Sequence, residues 1–301
     1  MYSAQRLGVL GTPEFYFPEA LTDDGTVGGY SRRSSFEPPF DVPVVWDQSG
    51  TPSALSVPAG HAKAYVNGFL HDRTPVGSLS RVGATLRPGY WTASAFVNLP
   101  DLGFGGQVVT GTNHFFFGQV FLDSSIRGIN AALWNRETEQ MELIGGLSGV
   151  QSFAWGTNKS GTYVGLTLDR SNGTFGGFIG RGGSATRLNF PGFPETRVYE
   201  INDSGEFVGI YEPSNGILRG YVATHDLDTG QQTIRDLGLF PGYSQTIVYA
   251  NNNQGVIVGG AIANFGDFDR ALIWSPGAES PLDLNTMVDV PGATLIDAYR
   301  I

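Results

Sequence analysis

The chain contains no cysteine among its 301 residues. Disulfide bonds, thiol nucleophiles and cysteine-ligated metal sites are therefore excluded. Charged residues are scarce at 15%, and 28 acidic side chains outnumber 18 basic ones to give a formal net charge of −10. Nucleic acids bind surfaces rich in lysine and arginine, so we expect no nucleic-acid partner. No apolar run reaches the roughly 18 residues of a transmembrane helix, so we expect no membrane insertion.

Glycine is abundant, and it recurs in a long repeat. The line Tyr199-Glu-Ile-Asn-Asp-Ser-Gly-Glu-Phe-Val-Gly209 has relatives along the whole chain. Its last glycine, which we call the anchor glycine, stands at Gly29, Gly77, Gly118, Gly165, Gly209 and Gly259, at intervals of 41–50 residues. A period in the forties is typical of repeat architectures. With 43 glycines and turns rich in Asn, Asp and Gly, it predicts an all-β fold.

Each repeat reads as four short strands, A to D. Strand A ends in an Asn/Asp/Gly turn, strand B carries the anchor glycine, strand C is a small residue followed by apolar ones, and strand D follows a polar turn. Four-stranded units at this spacing predict a single-domain β-propeller of six blades, with seven as the alternative. The anchor glycine predicts close backbone approach between neighbouring sheets. In two repeats the turn glycine is replaced, by Arg73 and by His114.

The repeat sets unit boundaries along one domain that spans residues 1–301. The predicted units cover residues 13–58, 59–103, 104–146, 147–191, 192–241 and 242–291. Gln5–Gly11 matches strand D around Leu237, and Thr294–Ile301 matches strand A. Residues 1–12 and 292–301 are therefore interpreted as closing strands that complete the ring.

The alternation of Tyr-x-Ile-Asn-x-x-Gly-x-x-Val-Gly with Ala-Leu-Ile-Trp and Asp-Leu-Gly resembles the HAF-type extracellular repeat family. This resemblance covers essentially the whole chain and implies the architecture and export, with no chemistry. More weakly, the size and the cysteine-free propeller pattern are similar to those of fungal hetero-Diels–Alderases of tropolone-sesquiterpenoid pathways. That second resemblance implies a cofactor-free cycloaddition and supplies no site residue.

Three glycosylation sequons also favour the secretory pathway, at Asn158, Asn172 and Asn202. The first residues, Met1–Arg6, lack the apolar segment of a signal peptide. We therefore expect a secreted protein whose leader is absent from this sequence, with N-glycans on these three asparagines.

Ligands of propellers usually occupy the channel mouth formed by the D–A and B–C loops, an analogy from fold. These loops carry aromatic and cationic side chains, which suit a flat, mostly apolar, oxygen-bearing ligand. His61, at the entrance of a strand A, is the best acid/base candidate. The predicted catalytic residues are His61, Arg87, Trp91 and Tyr243. The predicted substrate-binding residues are Tyr16, Phe17, Lys63, Phe104, Gln151, Glu195, Gln245 and Phe265.

When the strands A of all repeats are aligned on the position of Ile201, two positions are informative. Six residues before the position of Ile201 stand the long polar side chains of Lys63, Gln151, Glu195 and Gln245, which we interpret as a polar ring. Two residues before that position stand Glu19, Asn67, Val108, Trp155, Tyr199, Tyr249 and Tyr299. The aromatic members of this second column are interpreted mainly as packing between blades.

The predicted function is a cofactor-free enzyme of natural-product biosynthesis that binds an apolar polyketide or terpenoid at the channel mouth, with pericyclase activity of the hetero-Diels–Alder type. No metal is expected, because the four histidines show no ligand spacing such as His-x-x-x-His. The alternatives are a non-catalytic propeller that binds glycans or proteins, and a glycoside hydrolase or lyase, which needs a carboxylate pair.

Overall fold

The computed structural model describes residues 5–11, 15–33, 38–123, 128–214, 216–263, 269–288, 290 and 292–301. These residues form 24 β-strands and one short 3₁₀ helix, without an α-helix in the described ranges. The all-β prediction is confirmed. None of the described helical residues makes a segment long and apolar enough to cross a membrane.

Two compact units divide the chain. The N-terminal unit holds residues 5–144 and 151–154, and the C-terminal unit holds residues 145–150 and 155–301. The strands of the N-terminal unit follow in three antiparallel meanders: β1 (Phe15–Leu21), β2 (Val27–Arg32), β3 (Asp41–Trp46), β4 (Pro52–Ala54); β5 (His61–Phe69), β6 (Pro75–Arg81), β7 (Arg87–Trp91), β8 (Phe96–Asn98); β9 (Gly106–Gly111), β10 (Phe115–Phe121), β11 (Ile129–Asn135), β12 (Met141–Leu143). The first two meanders share one sheet, through a parallel contact of Asp41 with Lys63.

The other three meanders each form a separate four-stranded sheet. Their strands are β13 (Gln151–Thr157), β14 (Thr162–Asp169), β15 (Thr174–Arg181), β16 (Ser184–Arg187); β17 (Arg197–Ile201), β18 (Glu206–Ser214), β19 (Ile217–His225), β20 (Gln232–Asp236); β21 (Gln245–Asn251), β22 (Ile257–Ile262), β23 (Arg270–Trp274), β24 (Leu282–Asp283). The 3₁₀ helix Leu284–Thr286 follows β24. The boundary between the two units falls inside β13, whose first four residues belong to the N-terminal unit.

Tryptophans of strand C anchor three of the six meanders to the segments that precede them. Trp46, Trp134 and Trp274 are fully buried. Their indole N–H groups donate to backbone carbonyl oxygens at 2.7–2.9 Å, on Gly8, Pro100 and Leu237 respectively. A buried indole needs such an acceptor, and in each of these three meanders the preceding segment supplies one.

The anchor glycines are explained by a β-bulge in strand A. At five of the six positions, a Cβ on the glycine would stand only 1.9–2.0 Å from a carbonyl oxygen of strand A in the same sheet. The glycines with their carbonyl partners are Gly29 with Phe17, Gly77 with Tyr65, Gly118 with Gln107, Gly209 with Arg197, and Gly259 with Ile247. The pairing register shifts beside each of them. The predicted close approach therefore exists, but within one sheet rather than between neighbouring sheets.

The A–B turns are joined to one another by asparagine side chains. Asn202 Oδ1 accepts the backbone N–H groups of Ser204 and Glu206 at 3.1 and 3.0 Å, and its Nδ2 donates to the Asn252 carbonyl at 3.0 Å. Asn158 repeats this one turn earlier, since its Nδ2 donates to the Asn202 carbonyl at 3.2 Å. The Asn-Asp-Ser-Gly line thus closes each turn and connects it to the next.

This arrangement corrects two of the three expected glycan sites. Asn158 and Asn202 are 4% and 5% exposed, and the amide nitrogen that would carry a glycan is hydrogen-bonded in both. Asn172, in the β14–β15 turn, is exposed. The Asn-x-Ser/Thr pattern is ambiguous, because asparagine and serine side chains also form hydrogen bonds to the backbone within turns.

The two repeats without a turn glycine differ in structure. Arg73 takes the left-handed conformation itself, with φ 67°. Its guanidinium pairs with Asp24 at 2.9 Å. His114 needs no such conformation, because its hairpin is shorter and closes directly from Thr112 N–H to the Phe115 carbonyl.

Neither predicted closing segment forms a strand in its described part, which corrects that assignment. Residues 5–11 contact the β3–β4 hairpin through single bonds, such as Gly8 N–H to Gly50 O at 2.7 Å. Residues 292–301 also make single bonds, to β22 and β23. The Leu295 carbonyl accepts the Ala271 N–H, and the Ala298 N–H donates to the Gly259 carbonyl. A strand needs consecutive bonds to one neighbour, and isolated bonds do not build a ladder.

Candidate functional site

A cleft of about 640 Å³ opens in the N-terminal unit. Its walls are the start of β5, the end of β6 with the β6–β7 turn, and the segment that follows β8. These are the B–C and D–A loops that the repeat marks as the ligand end of a unit. The cleft places His61 and Arg87 on one lining, together with Leu99, Pro100 and Asp101. Its volume suits a small organic ligand.

His61 is the first residue of β5 and is half-buried. Its Nδ1 lies 3.0 Å from the Pro58 carbonyl oxygen. A carbonyl oxygen only accepts, so Nδ1 carries the proton in this contact, and in the neutral ring Nε2 carries the lone pair. His61 is thus oriented as a base or hydrogen-bond acceptor on the cleft wall.

Arg87 is held by a carboxylate that the sequence analysis missed. Its Nη1 pairs with Asp101 Oδ2, and the Asp101 side chain is only 5% exposed. Asp101 Oδ1 also accepts the Gly103 N–H. The pair fixes the guanidinium plane at the cleft wall, and the other guanidinium N–H groups remain available as donors to a ligand oxygen. The Asp-x-Gly turn after strand D is the signal that would have indicated Asp101.

The structure assigns structural roles to other predicted site residues. Trp91 is 2% exposed, donates its indole N–H to the Ser56 carbonyl at 2.9 Å, and packs against Phe96. It belongs to the core and is not a group presented to a ligand. Tyr243 lies in the C-terminal unit and packs against Phe240 in a core cluster.

Tyr16 also has a structural role. Its hydroxyl bonds to the Leu10 backbone, and its ring meets Trp46 edge-on at 5.8 Å. It therefore holds residues 5–11 against the first meander. Phe265 lies outside the described residues. Lys63 and Phe104 are exposed, as a ligand-binding role requires.

Two members of the predicted polar ring are buried, since Gln151 and Gln245 are 5% and 6% exposed. Gln245 Oε1 accepts the Leu218 N–H at 3.1 Å, and Glu195 Oε2 accepts the Phe175 N–H at 3.4 Å. Each acceptor satisfies an amide near the start of strand C in the preceding meander, which is a structural task.

Phe17 belongs to an aromatic and ionic cluster that the sequence analysis did not identify. Its ring stacks on Tyr30 at 4.7 Å, and the Arg32 guanidinium lies 5.1 Å above it. Arg32 pairs at 2.8 Å with Asp41, a carboxylate with 1% exposure that also accepts the Tyr65 hydroxyl at 2.7 Å. Burial, reinforced by Asp41, raises the pKa of Tyr65 above its usual value. The polar groups of Arg32, Asp41 and Tyr65 bond one another, so the cluster stabilises the packing of the first two meanders.

A row of neighbouring aromatic rings runs through the C-terminal unit. Trp155 and Tyr199 are 4.9 Å apart, Tyr199 and Tyr249 are 5.9 Å apart, and Tyr249 and Tyr299 are 4.8 Å apart. Tyr199 and Tyr249 are the bulged residues of their strands. Burial raises the pKa of both tyrosines. Packing between successive segments, the main interpretation from sequence, accounts for this row. In the third meander the bulged residue is Val109 rather than Val108, because that hairpin is shorter.

Two acids lie beside the row. Glu200 pairs with Arg300 at 3.7 Å, and burial raises the pKa of the Glu200 carboxyl. Asp297 Oδ1 accepts the Ala298 N–H, and the carboxyl also interacts with the Tyr249 and Tyr299 side chains. Burial raises the pKa of Asp297 to about 6.

A second cleft, of about 400 Å³, lies in the C-terminal unit. Polar side chains dominate it, among them Asp203, His225, Asp228 and Gln231. Asp203 pairs with Lys159 at 2.9 Å, and Arg181 lies 3.8 Å from Asp228. These groups suit a ligand rich in hydroxyls.

No protein-family model and no curated protein matches the chain. Among solved structures it is similar to TolB from Acinetobacter baumannii, with a TM-score of 0.51 and 14% identity over 85% of this chain and 62% of that one. It is also similar to a Mycobacterium tuberculosis puromycin-hydrolyzing peptidase (TM-score 0.49, 15% identity, 91% of this chain, 45% of that one) and to the AtxE2 isopeptidase (TM-score 0.34, 9% identity, 90% and 52%). The chain thus spans less than two thirds of each of these proteins. At this identity the likeness to TolB shows the fold alone, which is a propeller-like all-β fold.

Proposed function

We propose that this chain is a cofactor-independent small-molecule enzyme, which binds a flat, mostly apolar, oxygen-bearing polyketide or terpenoid in the cleft of the N-terminal unit. The observation that carries the proposal is the meeting of His61 and Arg87 in one cleft built from the B–C and D–A loops. Leu99 and Pro100 give that cleft an apolar wall, and the His61 and Arg87 side chains fix the orientation of a bound ligand.

The proposed reaction class is a hetero-Diels–Alder cycloaddition. Two new σ-bonds form as π-bonds are consumed, so the step needs no oxidant, reductant or leaving group. The cleft contributes by holding both reacting ends in contact, an effect worth up to roughly 7–11 kcal/mol in well-oriented systems. An Arg87 N–H donor to a carbonyl oxygen of the ligand stabilises charge that develops in the transition state. His61 Nε2 accepts a hydrogen bond from a ligand hydroxyl and so orients the ligand.

For the architecture we propose a β-propeller of six blades. Six meanders of four strands support this count. The Trp46 indole donates to Gly8 as Trp274 donates to Leu237, which supports residues 5–11 as the repeat equivalent of the segment that follows strand D elsewhere. Export and the HAF-type resemblance remain part of the same proposal.

A glycan-binding propeller is the second candidate, favoured by the polar cleft of the C-terminal unit. A crystal structure soaked with a conjugated polyketide–terpenoid, run beside a glycan array, separates the two. We expect the ligand against His61 and Arg87, with a silent array. Glycan binding with an empty N-terminal cleft would support the second candidate and overturn the first.

A further inference from the structure

Arg81 is a third basic residue on the lining of the N-terminal cleft, beside His61 and Arg87. It is the last residue of β6, and it lies directly across from His61, the first residue of β5. Cross-strand partners place their Cβ atoms about 4.5–5.5 Å apart on one face of the sheet. Arg87 pairs with Leu79, which stands two residues before Arg81. The three basic side chains therefore leave the same face of this sheet.

The charges on this lining do not balance. Asp101 is the only acidic residue among the described residues that line the cleft, and it is paired with Arg87. No carboxylate on the described lining is therefore left for Arg81, whose side chain is exposed. Two arginines against one aspartate leave one surplus positive charge, in a chain with a formal net charge of −10. A local surplus of positive charge in a cleft attracts an anionic ligand group.

The segments that form two walls of the cleft also expose apolar side chains. Val82 is 66% exposed in the β6–β7 turn, and Leu102 and Phe104 are 43% and 38% exposed in the segment after β8. The ends of these two segments are joined, because the Gly106 N–H donates to the Leu86 carbonyl at 2.8 Å. Exposed apolar residues that lie together beside a cleft are typical of a ligand-binding surface. The ligand thus combines an anionic group with an apolar body.

We propose that the cleft takes a ligand with one carboxylate group, which Arg81 binds, and an apolar body that contacts the exposed apolar side chains beside it. This inference rests on the proposed function and names its substrate class, an acidic polyketide or terpenoid. A guanidinium matches a planar carboxylate with two parallel N–H···O bonds. A phosphate monoester fits less well, because its roughly 1.5–2 negative charges at neutral pH exceed the single surplus positive charge. Arg87 keeps its role as the donor to a ligand carbonyl.

Three probes with the same rings separate the carboxylate from the apolar body: 2-naphthoate, its neutral primary amide 2-naphthamide, and 2-naphthyl phosphate. Calorimetric titration into the full chain measures the dissociation constant of each. We expect the wild type to bind 2-naphthoate about tenfold or more tightly than 2-naphthamide, and more tightly than 2-naphthyl phosphate. Arg81→Gln should abolish the preference for 2-naphthoate and leave the affinity for 2-naphthamide unchanged. Arg187→Gln removes an exposed arginine outside the cleft, so this matched control should bind like the wild type.

Equal affinities of the wild type for 2-naphthoate and 2-naphthamide would overturn the inference. A preference for 2-naphthoate that survives in Arg81→Gln would also overturn it, as would tighter binding of 2-naphthyl phosphate. In these cases the proposed function stands if His61→Gln still weakens the binding of 2-naphthamide. No binding of any probe, or binding that His61→Gln leaves unchanged, would overturn both. Urea denaturation of Arg81→Gln checks its fold, and we expect the stability of the wild type because the side chain is exposed.

Discussion

The carbonyl oxygen of Arg197 lies 1.9 Å from the place where a Cβ on Gly209 would stand. Any side chain at residue 209 must displace the backbone of β17, and the same contact recurs in four other meanders. Glycine therefore recurs at this position of the repeat because the bulge in strand A leaves no room for a side chain.

Gly209→Ala tests this relationship. We expect a loss of about 3 kcal/mol or more in the free energy of unfolding, since backbone must move to admit the methyl group. Urea denaturation measures it. Gly145→Ala is the matched control, because its Cβ would meet the Gly183 oxygen at an ordinary 3.4 Å. Equal stabilities of the two variants would contradict the bulge explanation.

Asn202→Ala removes the side chain that closes its own turn and reaches the next one. Two backbone N–H groups and the Asn252 carbonyl lose their partner, so we expect a loss of about 2 kcal/mol in unfolding free energy. Asn172→Ala, at an exposed turn, should change stability by less than about 0.5 kcal/mol. Similar effects of the two substitutions would argue against the asparagine connection between turns.

Glycosylation gives an independent readout of the same turns. We expect folded protein from a glycosylating secretory host to carry a glycan on Asn172 alone, since Asn158 and Asn202 are buried. Mass spectrometry of tryptic glycopeptides measures the occupancy. A glycan on Asn202 in folded, monodisperse protein would show that this turn is not packed as described.

The Asp297 carboxyl makes the stability of the C-terminal segment depend on pH. Burial raises its pKa from 3.8 to about 6, so the folded state binds this proton more tightly than the unfolded state. Its contribution to stability is therefore complete below pH 3.8 and declines as pH rises to about 6. Hydrogen exchange at Ala298 should accelerate across this interval.

Asp297→Asn is the control for that titration. The amide keeps the shape of the carboxyl and cannot ionise, so the pH dependence of exchange at Ala298 beyond that of chemical exchange should disappear. An unchanged profile in the variant would assign the effect to another group, such as Glu200.

The fold was largely predictable because its rules are local. The Asn-Asp-Ser-Gly turn and the anchor glycine determine the hairpins within about a dozen residues, and the four strands of each meander follow. The meeting of His61 and Arg87 was also predictable, since both lie in loops assigned to one end of a unit.

The individual roles were harder to predict, because they depend on hydrogen-bond partners in other segments of the chain. Gln245 and Trp91 were expected at a ligand surface, yet each bonds a backbone group of a neighbouring segment that its own sequence does not reveal. The role of Asp101 was missed because it depends on its partner Arg87, which lies 14 residues away in the sequence.

The most direct test of the proposed function is calorimetric titration of a conjugated polyketide–terpenoid panel into the wild-type chain, His61→Gln and Gln231→Ala. The last variant alters the polar cleft of the other unit and serves as the matched control. We predict binding by the wild type and by Gln231→Ala with equal affinity, and an affinity about tenfold weaker for His61→Gln. Binding that is lost in Gln231→Ala and retained in His61→Gln would contradict the assignment of the site.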